Sequence, residues 1–135
     1  MNDPTAIDDA VLIQAYTEEA DRYSRALTLA ADLPAALQHD SGANEKLQQV
    51  LALLDEVAVI EAGIAERKRQ WQQTGQKPGS QLQSALENVA KLIELLAGHI
   101  GGAERQAIAH KSQLAPELDA MARSQQMQRA YSKWR

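Results

Sequence analysis

The chain has 135 residues and a net charge of −4, with 14 Lys and Arg against 18 Asp and Glu. That length sets a single domain, 1–135, as the expectation, and an acidic balance with one short basic cluster near the end argues against a nucleic-acid surface. The absence of Cys and Phe excludes disulfides and thiolate metal sites and leaves a core of Leu, Ile, Val and Ala, suited to closely packed helices.

The first predicted helix covers about 3–33, opening at Asn2 or Asp3 with Pro4 in its first turn, where a missing N–H costs nothing. Its apolar stripe is thin: Ile7, Val11, Leu12, Ala15, Tyr16, Tyr23, Ala26, Leu27, Ala30 and Leu33. Pro34 disfavours helix at the residue before it and sets a break there, and the polar stretch Gln38 to Asn44 forms the first loop. The second helix is predicted over about 44–73, with Val50, Val57, Ile64 and Trp71 seven residues apart. Thr74 to Ser80 is dense in turn formers, with Gly75, Pro78 and Gly79, and Ser80 is a candidate cap for the third helix. A turn this short between two long helices predicts an antiparallel hairpin.

The third helix, about 80–115, carries Leu82, Leu86, Val89, Ile93, Leu96, Ile100, Ala103 and Ala107, alternating steps of four and three. That is a heptad seam, which buries one narrow stripe against another helix. Pro116 marks a kink or the start of a separate terminal helix, about 116–131, whose apolar positions include Leu118, Met121 and Met127. The predicted fold is therefore all-α: an elongated antiparallel helical hairpin or three-helix bundle with coiled-coil character and a separate C-terminal helix.

Charge differs between the ends. Residues 1–40 are acidic apart from Arg22 and Arg25, and residues 120–135 carry Arg123, Arg129, Lys133 and Arg135 with no acid. The basic tail is expected either to be solvated or to dock on the acidic first helix, folding back over a groove that a partner would need. The opening residues are acidic where a secretory signal would be basic and then apolar, and no apolar run approaches the roughly 18 residues that span a bilayer. A cytoplasmic protein without membrane insertion is the expectation.

No reactive constellation emerges. His39, His99 and His110 are the only histidines, and His99 and His110 are about three turns apart, too far to share a metal from one helix. The acid pairs Asp8-Asp9, Glu18-Glu19 and Asp55-Glu56 diverge by about 100° on a helix and read as solvated charge. Gly98, Gly101 and Gly102 lack the lysine and preceding strand of a phosphate loop, and so point to close helix approach or a bend. No catalytic, metal-ligating or cofactor-binding residue is expected, and the protein is not expected to be an enzyme.

The segment Leu92-Ile-Glu-Leu-Leu-Ala-Gly-His-Ile-Gly-Gly-Ala-Glu-Arg-Gln106, followed by Leu114-Ala-Pro-Glu-Leu-Asp119 and Gln125-Gln-Met-Gln-Arg-Ala-Tyr131, resembles the FlgN and FliT type of flagellar export chaperone. That resemblance implies a small all-helical cytoplasmic protein that holds the amphipathic helical end of a late flagellar subunit, a hook-associated or filament-cap protein, and delivers it to the export apparatus. It places the partner-binding groove on the third helix, at Leu92, Leu96, Ile100, Ala103, Leu114 and Leu118. The same six positions also fit an internal core. The alternative is a homo-oligomeric coiled-coil scaffold or adaptor, with a second copy of the chain as partner.

Overall fold

The computed structural model describes residues 6–39, 42–109 and 112–132, with side-chain surroundings for 7–39, 42–109 and 112–125. Most of the chain is helical: α1 (Ala10–Ala31), α2 (Leu33–Gln38), α3 (Ala43–Gln73), α4 (Ser80–Ala109) and α5 (Ala115–Ser132). A two-residue parallel pairing of β1 (Ala6–Ile7) with β2 (Lys77–Pro78) precedes α1 and α4.

The first helix begins later than its composition predicts. Asn2, Asp3 and Pro4 lie outside the described residues, and Ala6–Ile7 are extended. Asp9 is the N-cap: its carboxylate accepts the backbone N–H groups of Val11 at 3.0 Å and Leu12 at 3.3 Å, satisfying donors that a helix start leaves orphaned. Pro34 does break the chain between α1 and α2, as predicted. It sits in the first turn of α2, where its absent N–H cannot continue the ladder of α1. The turns at His39 and at Thr74–Gly75 also fall where the sequence puts them, though Lys77–Pro78 are extended as β2 and Asp40 and Ser41 lie outside the described residues. The third predicted helix, by contrast, ends at Ala109 rather than about 115, and Pro116 lies in the first turn of a separate α5.

The predicted hairpin does not close on itself. The helix α1 packs along both α3 and α4, whereas α3 and α4 make no extended contact with each other among the described residues. Ion pairs from Asp9 to Arg67 (2.8 Å), Arg22 to Glu56 (3.8 Å) and Asp32 to Lys46 (4.0 Å) run α1 antiparallel to α3. Each contributes little to stability at the surface but together they record the register. The strand pairing runs α1 parallel to α4. The stripe of α1 explains its central place: Leu12, Ala15, Tyr16, Tyr23, Ala26 and Ala30 are buried, and the alanines allow neighbouring helices to approach closely.

The helix α5 lies along α4, burying Leu118 and Met121. The helix after Pro116 therefore folds back onto α4; Lys133, Arg135 and the side chain of Arg129, expected to meet the acidic first helix, lie outside the described residues. The one described ion pair of α5 is internal, Arg123 with Asp119.

Asp8 and Asp9, which read as solvated charge, are in fact caps for two different helices. Asp8 accepts the backbone N–H of Leu82 at 3.0 Å, 74 residues away, and so does the work predicted for Ser80. The N–H of Gly79 donates to the carbonyl of Ile7 at 2.6 Å. A Cβ at position 79 would overlap the Asp8 carboxylate. Gly79→Ala should therefore lose the same cap as Asp8→Ala, each costing about 1 kcal/mol, and the double variant should cost no more than either single one. Denaturant melts of the three variants check this; additive losses would mean that Gly79 and Asp8 act independently. At Gly101 and Gly102 the nearest neighbour of an added Cβ is the guanidinium of Arg105 at 3.7 Å, and at Gly98 nothing lies within 4 Å. These three glycines do not serve close helix approach.

Candidate partner-binding groove

The four longer helices form a chain of contacts, α3 to α1 to α4 to α5, and α3 and α5 make no extended contact with each other among the described residues. Between α3 and α5 is a groove of about 490 Å³. Its α3 wall carries Leu51, Leu54, Asp55 and Ala58, its α5 wall carries Glu117, Ala120, Met121 and Gln125, and Tyr23 of α1 reaches it from below. A second hollow of about 930 Å³ shares Glu117 and extends toward Ala43, Asn44 and Glu45 at the start of α3. Leu51 and Leu54 remain half-buried although they sit on the apolar face of α3. The sequence does show these two leucines on a helical stripe, but not that a helix is missing opposite them.

The six predicted contact residues divide. Leu96, Ile100, Ala103 and Leu118 are each 0% exposed and belong to the core where α4 meets its neighbours. Only Leu92 and Leu114 are half-buried. A partner reaches the first four only if a helix now packed over them moves away, so in this conformation the heptad seam is occupied from within.

A polar cluster lies between α1 and α3. Glu19 is 2% exposed and one of its carboxyl oxygens has no hydrogen-bond donor. Burial, together with a hydrogen bond to Glu61 and that residue's charge, pushes its pKa up to about 9. Protonated Glu19 donates to Glu61, whose carboxylate lies 3.7 Å from the Lys68 ammonium. Burial also raises the phenols of Tyr16 and Tyr23. At the outer edge Asp9 behaves oppositely: partial burial would raise it, but the Arg67 guanidinium and the Leu12 and Val11 amides hold it below the usual carboxylate range. Reading Glu18-Glu19 as solvated charge is thus wrong for Glu19, because residue type alone cannot reveal a carboxyl kept neutral.

Among the described residues no group of three or more His, Cys, Asp or Glu could hold a metal ion, and no helix is long and apolar enough to cross a membrane. His99 is half-buried, His39 is exposed, and His110 lies outside the described residues. Compared with protein-family models, curated proteins and solved structures, the chain matches none. The geometry defines an all-α protein with an unclosed helical edge.

Proposed function

We propose that this protein is a cytoplasmic export chaperone of the flagellar type, which holds the amphipathic helical end of a hook-associated or filament-cap subunit and hands it to the export apparatus. Its role is binding, not catalysis. The observation that carries this reading is the open edge between α3 and α5, where half-buried leucines face a groove instead of another helix. A filament subunit buries its terminal helix only after assembly; until then a helical groove of this kind substitutes for the missing neighbours and prevents premature polymerisation. The resemblance of residues 92–131 supplies the flagellar part of the proposal, and the heptad seam of α4 supplies its coiled-coil character.

Co-purification of the tagged chain from a flagellated source should recover a hook-associated or filament-cap subunit. Repeated recovery of unrelated proteins alone would overturn the reading. Self-association through the same edge, seen as a concentration-dependent dimer in sedimentation, would put the homo-oligomeric scaffold in its place.

A further inference from the structure

The walls of the α3–α5 groove specify more than a helical occupant. From Asn44 to Ala58, α3 borders the two hollows continuously, a length of about 21 Å at 1.5 Å per residue. That length matches four turns of helix. The two hollows share Glu117, are open and have apolar side chains at intervals on both walls, which suits a rod with a stripe better than a compact ligand.

The charged side chains on these walls are Glu45, Asp55 and Glu117. All three are exposed acids, and none takes part in an ion pair among the described residues. Elsewhere on the same helices acids are paired: Glu56 meets Arg22 and Asp119 meets Arg123. The groove thus sets along its apolar floor three acids that form no ion pair among the described residues. A second observation points the same way. Gln125, on the α5 wall, is 1% exposed, and its side-chain oxygen has no hydrogen-bond donor, a state that is costly for a buried acceptor unless something supplies the donor.

We infer that the groove seats a basic amphipathic helix of a partner protein, about four turns long. Its apolar stripe lies on Leu51, Leu54, Ala58 and Ala120, its Lys or Arg residues flank that stripe opposite Asp55 and Glu117, and a donor near its Ala58 end meets Gln125. The assignment rests on the reading of this protein as a carrier of helical clients and adds the chemistry by which a client is chosen. Acids at the rim repel helices with acidic flanks, so selection works by exclusion as well as by attraction.

The test uses two labelled synthetic peptides of about 14 residues with the same Leu and Ala stripe, one flanked by Lys and the other by Glu. Fluorescence anisotropy is read with the full chain and with the double variant Asp55→Lys/Glu117→Lys, both substitutions being at exposed positions. Circular dichroism and melting temperature confirm that the variant is folded. The wild type should prefer the Lys-flanked peptide by about tenfold or more at low salt, salt should weaken that preference, and the double variant should reverse it. Equal affinity for the two peptides, no binding below about 1 mM, or a preference unmoved by the double substitution would overturn the inference. A flagellar subunit recovered equally well by wild type and double variant would also reject the groove and leave the carrier reading intact. Reversal of the peptide preference with no flagellar subunit recovered would reject the carrier reading and leave the groove.

Discussion

Leu96→Asp should remove most of the protein's stability against urea. Leu96 is 0% exposed and Ile93 is 2% exposed, both on the seam where α4 packs against other helices. An aspartate at either position buries a carboxylate with no partner while removing well-packed apolar volume, and each change should cost on the order of 4 kcal/mol. Domains of this size are stable by about 5–15 kcal/mol, and a core rich in alanine belongs toward the lower end. Val59 is 72% exposed on α3, so Val59→Asp should shift stability by no more than about 0.5 kcal/mol. Urea titrations followed at 222 nm separate these outcomes. If Leu96→Asp melted with the wild type, α4 would have to present its seam to solvent.

Stability should fall as the solution is made alkaline, and Glu19→Gln should abolish much of that fall. In the folded protein burial and the neighbouring Glu61 push the Glu19 carboxyl up to about 9, against an ordinary value of 4.5. Between those values the native state holds a proton that the unfolded chain has released. The stabilisation is therefore complete below the unfolded value, declines as pH rises by up to about 1.4 kcal/mol per pH unit for one proton, and is gone above the folded value. Glutamine keeps a donor for Glu61 and cannot ionise. Denaturation midpoints measured from pH 5.5 to 8 should slope downward for the wild type and lie nearly flat for the variant, which should be the more stable of the two at pH 8. Parallel slopes would show that Glu19 is charged in the native state.

The parts of this structure legible in the sequence are those that local chemistry decides. Pro34 and Pro116 interrupt helices because each removes an N–H from the ladder, and Gly75 and Gly79 bound the turn before α4. Of the heptad positions, Leu82, Val89, Ile93, Leu96, Ile100, Ala103 and Ala107 are buried and Leu86 is half-buried, since period identifies a stripe that avoids water. Period does not identify the partner. The short turn between α3 and α4 argued for a hairpin, but α1, with its row of alanines and two inward tyrosines, packs along both. For the same reason four of the six residues expected to meet a partner are covered by the protein's own helices. Asp8 was unreadable for a different cause, since its acceptor role depends on an amide far along the chain. Glu19 was unreadable because its charge state follows from burial, which no single residue encodes. The α3–α5 groove combines both difficulties: it exists where two helices make no extended contact.

The bond between Asp8 and the Leu82 amide also sets an order of events when the chain is made. The 74 residues separating them take on the order of 4–15 s to synthesise at about 5–20 residues per second. During that interval α1 has emerged from the ribosome, and its stripe through Leu12, Tyr16 and Tyr23 can at most be half covered, by α3. The strap at residues 6–9 cannot be fastened until the start of α4 follows, and closing so long a loop carries an entropic cost that local helix contacts do not. The helix made first waits for α4 before it is sealed on both sides.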